Sequence, residues 1–166
     1  MSAPLPDPAL PWPIPLDAVA LIAESEGLRL RAYRCPAGVW SIGWGETDGV
    51  HPGDTCTREQ ADRWLCEDLT DRTRAVRAAC TREPSPAELG AMVSLTYNIG
   101  LGWEGRAKPR GARDGFRQST VLRQHNSGAR EAAARAFALW NRARVNGALT
   151  TLPGLTARRA REAAMY

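Results

Sequence analysis

The chain has 166 residues, of which 43% are hydrophobic, and its formal net charge is +4. This is enough apolar material for one full domain core, and no stretch approaches the roughly 18 apolar residues of a membrane span. Two histidines and four cysteines without a Cys-x-x-Cys pair predict neither a metal site nor a cofactor.

The charge is unevenly distributed. Residues 1–100 carry 9 Lys and Arg against 14 Asp and Glu, whereas residues 101–166 carry 13 against 4. A basic C-terminal half attracts polyanions through its long-range field. The commoner cause of such a count is a solvated, arginine-rich helical surface, and no nucleic-acid-binding motif is present. We therefore expect no nucleic acid partner.

The N-terminal segment is rich in proline. Residues 1–15 contain six prolines, which predicts an extended arm of polyproline type with Trp12 docked on the domain. The segment has neither a positive n-region nor an apolar h-region, so we expect the chain to accumulate in a reducing cytosol with free thiols. The sequence leaves open whether Cys66 and Cys80 form a disulfide after release from the cytosol.

A helix that ends in an acid comes first in the predicted domain. Asp17 is a suitable N-cap, apolar residues follow at helical spacing, and Gly27 offers a helix exit. Glu26 falls on the apolar face just before this exit. Burial disfavours the charged form of an acid, so we expect Glu26 to stay protonated near neutral pH. The plainer interpretation is a solvated glutamate, or one paired with Arg29 or Arg31.

A short segment rich in glycine and aromatic residues follows. Residues 39–44 alternate with a period of two, which places Ser41 on the face opposite Trp40 and Trp44. We expect at least one of these tryptophans in the core. Cys35 precedes the strand, so a thiol and a hydroxyl follow the acid. An acid in a partly dry place beside a group that orients water is what cleavage of a glycosidic bond needs.

Two longer helices are predicted in the middle of the chain. Thr57 and Gln60 have capping-box spacing, and an apolar face continues to Cys80, a length of about 35 Å at 1.5 Å per residue. Such a helix can connect two lobes. Ser85 and Glu88 form a second capping box, which should start the central helix of the larger lobe.

Shorter helices are predicted in the last third. Ser119 should cap one of them, and residues 129–141 are rich in alanine, with Phe137 and Trp140 as anchors. Thr156 should cap a last short helix.

Together these motifs resemble the phage-type lysozymes of glycoside hydrolase family 24, which are mostly endolysins. The family pattern is Glu, eight residues, Asp or Cys, five residues, Thr, and Glu26, Cys35 and Ser41 have these spacings. Matching segments are residues 26–30, 35–40, 42–45, 97–100, 119–122, 152–155 and 158–159. The resemblance therefore runs from about residue 16 to the C-terminus.

The resemblance implies a fold and a domain organisation. We expect an α+β, mostly helical, lysozyme-like two-lobed fold, with a small β-containing N-terminal lobe, a long connecting helix and a helical C-terminal lobe. The cleft should lie between the lobes. A proline-rich arm at residues 1–15 should precede a catalytic domain at residues 16–166.

The resemblance also implies an activity. The chain should be a muramidase that cleaves the β-1,4 bond between N-acetylmuramic acid and N-acetylglucosamine in peptidoglycan, and so lyses bacterial cell walls for phage release. We expect a monomer without stable membrane insertion. It should depend on a holin to pass from the host bacterial cytoplasm to the cell wall in the periplasm.

Three catalytic residues follow from the resemblance. Glu26 should protonate the leaving oxygen, and Ser41 should hold a water or bond near the reacting carbon. Cys35 stands where many relatives have aspartate. It is either a thiolate, favoured by Arg34 or Arg31, that activates water or stabilises positive charge, or a small buried filler.

Three substrate-binding residues are expected as well. Asn98 and Tyr97 should contact the acetamido group or the peptide, although Asn98 is equally typical of a plain C-cap. Arg142 should meet stem-peptide carboxylates, although a solvated surface arginine is the commoner case.

The chain departs from the family in two places. Ser41 replaces the usual Thr and lacks the β-methyl that restricts the rotamer, which predicts a looser site. Residues 103–115 form a basic, glycine-rich stretch that is longer than the family's usual link.

Two other functions stay open. A cysteine amidase or peptidase would use Cys35 as its nucleophile with His51 or His125 as the base. A non-catalytic wall-binding module would adhere through the basic half in a salt-sensitive manner.

Overall fold

The computed structural model describes residues 5–35, 38–105 and 107–166. The parts of the predictions above that fall on residues 1–4, Pro36, Ala37 and Arg106 lie outside these described residues. By its residue contacts the chain divides into two compact units, Met1–Asp71 and Arg72–Tyr166.

The described residues form a mostly helical chain with two small sheets. The α-helices are α1 (Leu16–Glu26), α2 (Arg58–Ala79), α3 (Pro86–Ile99), α4 (Thr120–Asn126), α5 (Arg130–Ala136) and α6 (Pro153–Met165). The strands are β1 (Arg29–Arg34), β2 (Trp40–Gly43), β3 (Arg142–Val145) and β4 (Ala148–Thr151). Short 3-10 helices span Phe116–Gln118 and Phe137–Trp140. β1 pairs with β2 and β3 with β4, each antiparallel, which confirms the predicted α+β class.

The first hairpin is held against a helix by a glycine. Gly43 ends β2 with φ 63°, and a Cβ at this position would lie 3.2 Å from the Cβ of Ala61 on α2. Only glycine adopts this positive φ without strain and also leaves room for the side chain of Ala61. Trp44 follows and is 2% exposed, which confirms that one of the two tryptophans lies in the core, whereas Trp40 is half-buried.

The N-terminal arm is docked on the first unit through a buried aspartate. Asp62 is 2% exposed and accepts hydrogen bonds from the backbone N–H of Asp7 (3.0 Å) and from Nε1 of Trp44 (2.7 Å). Trp12 donates from Nε1 to the carbonyl of Asp7 (2.8 Å), within a turn rather than a fully extended arm. One carboxylate on α2 therefore holds both the arm and the strand end.

We expect Asp62→Ala to destabilise the protein by about 2–3 kcal/mol, because the buried indole N–H of Trp44 loses a charged acceptor. Denaturant unfolding measures this. Asp48→Ala removes a carboxylate from an exposed loop of the same unit and should change stability by less than about 0.5 kcal/mol. Equal unfolding midpoints for the two variants would show that Asp62 does not hold the arm.

Both predicted capping boxes are confirmed. The N–H of Thr57 donates to Oε1 of Gln60 (2.8 Å), and the N–H of Gln60 donates to Oγ1 of Thr57 (3.2 Å), just before α2. Ser85 and Glu88 exchange the same pair of bonds at the start of α3, and Gly100, with φ 80°, caps the end of this helix. These helices begin where the sequence places them because each cap is local.

Two predicted caps are wrong. α1 begins at Leu16 after Pro15, so Asp17 lies inside its first turn, where Oδ1 accepts from the N–H of Ala18 (2.8 Å). α6 begins at Pro153, and Thr156 instead donates its hydroxyl to a carbonyl one turn earlier. A proline sets the helical φ in each case, at the cap or at the first helical position, and so fixes the start earlier than the polar residue.

The β3–β4 hairpin is absent from the sequence prediction. It turns at Asn146 (φ 48°) and Gly147 (φ 84°), both in the left-handed region. This is the pattern that Asn-Gly favours in a two-residue hairpin turn. Both strands are largely exposed, so they lack the apolar alternation that would mark them.

The described parts of the basic stretch, residues 103–105 and 107–115, lie outside helices and strands, and Gly102 and Gly115 meet at the base of the stretch. A Cβ on Gly115 would lie 2.4 Å from the backbone nitrogen of Gly102, so the two ends approach more closely than any side chain allows. Inside the loop, Asp114 accepts from Nζ of Lys108 (2.9 Å) and Nε1 of Trp103 (3.1 Å). These two bonds, Lys108 first, lower the pKa of the Asp114 carboxyl.

Candidate active site

Glu26 is the last residue of α1. The helix buries Ala18, Val19, Leu21, Ile22 and Ala23, and Glu26 is half-buried at the end of this helix. Gly27 follows with φ 73°, and its N–H donates to the carbonyl of Ala23 (2.9 Å), which confirms the predicted helix exit. The exit places the acid at the junction between α1 and β1.

Cys35 lies in the turn between β1 and β2. Its N–H donates to the carbonyl of Val39 (2.9 Å), and its carbonyl accepts from the N–H of Gly38 (2.8 Å). Arg34 donates from Nε to the carbonyl of Gly38 (3.0 Å), so this guanidinium braces the turn. The thiol itself is half-buried and free.

Ser41 is the second residue of β2 and is 4% exposed. Its register partner on β1 is Tyr33, and the pair adjoins the turn that carries Cys35. The ring of Tyr33 lies under the guanidinium of Arg29, 5.0 Å from its centroid. A helix end, a turn and a strand of the first unit thus carry the three predicted catalytic residues.

The three predicted substrate-binding residues belong to the second unit. Tyr97 and Asn98 occupy the last turn of α3, and Arg142 is the exposed first residue of β3. The guanidinium of Arg72 stacks over the ring of Tyr97 at 4.9 Å. Asn98 is exposed, and its Oδ1 accepts from Nη1 of Arg159 (3.2 Å). Tyr97 and Asn98 therefore have fixed partners.

The sequence prediction missed a buried ionic cluster in the second unit. Glu162 is fully buried, and its carboxylate meets Arg158 (Nε to Oε1, 3.2 Å) and Arg159 (Nη2 to Oε1, 2.8 Å). Ser94 on α3 donates its hydroxyl to the same Oε1 (2.7 Å). Burial raises the pKa of the Glu162 carboxyl, and the two guanidiniums, Arg159 first, oppose that rise. The sequence signal for this cluster is Arg-Arg-x-x-Glu at residues 158–162, a spacing that brings both arginines to the glutamate within about one helical turn.

The two histidines occupy different settings. His51 is exposed in a loop, with Nδ1 3.8 Å from Oδ2 of Asp54. His125 is fully buried, and its ring nitrogens meet the hydroxyl of Tyr166 (2.7 Å) and the carbonyl of Arg82 (3.0 Å). A histidine held on both nitrogens has no site left to act as a base.

The cysteines are free thiols. Burial raises the pKa of the Cys80 thiol to about 11, and it raises the pKa values of Cys56 and Cys66 as well. A raised pKa leaves little thiolate at neutral pH, so these three cysteines are poor nucleophiles.

One cavity of the first unit is lined without the predicted catalytic residues. It has a volume of about 400 Å³ and is lined by Ile42, Glu46, Asp48, Gly49, Val50, Asp54, Thr55 and Trp64. Neither Glu26, Cys35 nor Ser41 belongs to this lining, so the cavity does not define the catalytic site.

The described residues form neither a metal-binding cluster nor a helix able to span a membrane. Among the described residues no three His, Cys, Asp or Glu side chains group to hold a metal ion. No described helix combines the length and the apolar character needed to cross a bilayer.

Comparisons with known proteins agree with the fold. The phage lysozyme family model matches residues 23–162. The endolysin of Acyrthosiphon pisum secondary endosymbiont phage 1 is 36% identical over 148 residues, which cover 89% of this chain and 93% of that protein.

Solved structures are similar over nearly the whole chain. The muramidase domain of SpmX from Asticaccaulis excentricus has a TM-score of 0.78 and 34% identity, over 93% of this chain and 97% of that chain. The endolysin from Escherichia coli O157:H7 phage FAHEc1 has a TM-score of 0.78 and 33% identity, over 95% and 94%. The predicted lysozyme-like fold is confirmed, and the chain belongs to the phage lysozyme family as a peptidoglycan-hydrolysing glycosidase.

Proposed function

We propose that the protein is a muramidase that cleaves the β-1,4 bond between N-acetylmuramic acid and N-acetylglucosamine, with Glu26 as its acid. One observation carries the proposal. In a member of the phage lysozyme family, Glu26, Cys35 and Ser41 have the family's spacing and lie on a helix end, a hairpin turn and a strand of one compact unit.

The reaction requires two proton transfers and one water. The Glu26 carboxyl gives its proton to the glycosidic oxygen as the bond from that oxygen to the sugar's C1 breaks. The oxygen of a water molecule then bonds to C1, and the proton that this water releases returns to Glu26, either directly or by way of the Cys35 thiolate. Ser41 holds this water or hydrogen-bonds next to C1. Ser41 is 4% exposed, and this burial limits the positions that its hydroxyl can take.

Cys35 contributes to this step from the turn at the end of β1. It stands where relatives carry an aspartate, and as a thiolate it activates the water or stabilises positive charge on the sugar ring. Arg34, which braces the turn through Gly38, is the nearest cation in sequence.

Substituting Cys35 separates a chemical role from a filler role. We expect Cys35→Ala to lower kcat by about 100-fold, at the low end of general base contributions. Cys35→Asp should retain activity. The assay is the rate at which purified peptidoglycan gains reducing ends, with melting curves as the folding control. If Cys35→Ala keeps the wild-type kcat, Cys35 fills space in the structure and has no chemical role.

The second unit contributes groups that bind the polymer. Tyr97 and Asn98 contact the acetamido group or the peptide, and Arg142 meets a stem-peptide carboxylate. In this proposal the protein acts as a monomer. It is made in the cytoplasm of the host bacterium and reaches the wall in the periplasm after a holin opens the membrane.

Product analysis tests the proposal. The protein is incubated with purified peptidoglycan, and new chain ends are reduced with borohydride and identified by mass spectrometry. We expect new reducing ends that carry N-acetylmuramic acid. Reducing N-acetylglucosamine would identify a glucosaminidase, free amines without reducing ends would identify an amidase or peptidase, and no new ends would identify a wall-binding module.

A further inference from the structure

A buried arginine lies behind one of the proposed substrate-binding residues. Arg159 is 1% exposed, and its Nη1 donates to Oδ1 of Asn98 (3.2 Å), whereas Asn98 itself is exposed at the end of α3. The contact joins the interior of the second unit to a polar group at its surface.

The chemistry of arginine fixes the orientation of this carboxamide. A guanidinium has only donors, so the side chain of Asn98 must present its oxygen to Arg159. The oxygen and the amino group leave the same carbon in different directions. Its amino group, with two N–H donors, must therefore face away from Arg159.

Arg159 is itself held in place. Its Nη2 lies 2.8 Å from Oε1 of Glu162 and its Nε lies 2.7 Å from Oε2, so the guanidinium meets both carboxylate oxygens. Glu162 is also held by the hydroxyl of Ser94 (2.7 Å), one helical turn before Asn98 on α3. The cluster thus links two successive turns of one helix.

Such a cluster is poorly explained by stability alone. Replacing a buried ion pair by apolar side chains of similar volume is often neutral or stabilising. A lysine lacks the planar fork that reaches Glu162 and Asn98 together. Compared with a lysine or an apolar side chain, the Arg159 guanidinium also fixes the orientation of the Asn98 carboxamide.

We propose that Arg159 is a positioning residue, which fixes the carboxamide of Asn98 so that its amino group donates a hydrogen bond to a carbonyl oxygen of the peptidoglycan strand. The inference rests on the proposed function and deepens it. It assigns Asn98 the role of a donor rather than that of a helix cap, and it assigns Arg159 the orientation of that donor.

Asn98→Asp tests the donor directly. The variant keeps an oxygen for Arg159 and replaces the amino group by a second oxygen, so we expect its melting temperature to equal or exceed that of the wild type. Its KM for solubilised peptidoglycan strands should rise about tenfold, with kcat within about threefold. Asn146→Asp adds the same charge at the exposed β3–β4 turn and should leave both constants unchanged.

A double-mutant cycle tests the positioning. Arg159→Lys should raise KM by about fivefold in the wild type and by less than twofold in an Asn98→Ala background, because the donor it orients is already gone. A purely structural role would lower the melting temperature and change the kinetic constants equally in both backgrounds.

Three results would overturn the inference. They are a KM of Asn98→Asp within twofold of the wild type, a lowered melting temperature of that variant, and equal effects of Arg159→Lys in both backgrounds. If Arg159→Lys does not fold, the Asn98→Asp results decide. If the wild type yields no reducing ends the proposed function fails, whereas the melting of Asn98→Asp still tests the contact with Arg159.

Discussion

Glu26→Gln should lower kcat by about a thousandfold and leave KM within about threefold, because the amide keeps the shape of the side chain and has no acidic proton to give. The half-buried carboxyl at the end of α1 is the proposed proton donor to the leaving oxygen. The measurement is the rate at which purified peptidoglycan gains reducing ends.

Glu24→Gln is the matched control. It makes the same chemical change on the same helix two residues earlier, at an exposed position, and should keep kcat within about twofold. Circular dichroism melts check that both variants fold. If Glu26→Gln still lyses permeabilised bacteria while Cys35→Ser does not, and free amines appear in place of reducing ends, the protein is a cysteine-dependent amidase or peptidase and the assignment of Glu26 is wrong.

The largest expected loss of stability comes from Glu162→Gln. The change removes a carboxylate that pairs with the buried guanidiniums of both Arg158 and Arg159. Breaking a buried ion pair on one side costs about 3–5 kcal/mol. At roughly 2–4 °C per kcal/mol for a chain of this size, the melting temperature should fall by about 10 °C.

Glu131→Gln is the control for this variant. Glu131 also pairs with an arginine, Arg135 (3.7 Å), but its side chain is 92% exposed, so the pair contributes less than about 0.5 kcal/mol. Calorimetry on both proteins compares a buried pair with an exposed one. Similar melting temperatures for the two variants would mean that Arg158 and Arg159 have adequate partners without Glu162.

Local signals predicted the fold well. The capping boxes at Thr57 and Ser85 depend on residues three positions apart, and the helix exits at Gly27 and Gly100 depend on one residue each. Such signals can be recognised in a sequence because all the groups that form them are neighbours in the chain. The same reasoning failed where a proline nearby fixed the helix start, as at Pro153.

Contacts between distant parts of the chain could not be predicted. The hydroxyl of Ser94 meets Glu162 across 68 positions, and the N–H of Asp7 meets Asp62 across 55. No periodicity encodes either pairing, because each arises only when the elements pack. The docking of the arm and the burial of a carboxylate between two arginines therefore appear only in the folded structure.

The predicted catalytic residues were identified mainly because their spacing matches that of the family. Alternation alone placed Ser41 on a strand, which the structure confirms, but it gave no reason to select this serine over others. The role of Cys35 stays a prediction, because a thiol in a hairpin turn is compatible with both chemistry and packing.

The exposed β3–β4 hairpin has a practical consequence. Its turn at Asn146 and Gly147 lies at the surface, and its two short strands exchange hydrogen bonds mainly with each other. Surface loop tips of this kind are the positions where domains accept inserted sequence. An affinity tag or a targeting peptide spliced between these two residues should leave the rest of the enzyme folded, which makes the turn an attachment point for redirecting the protein to chosen bacteria.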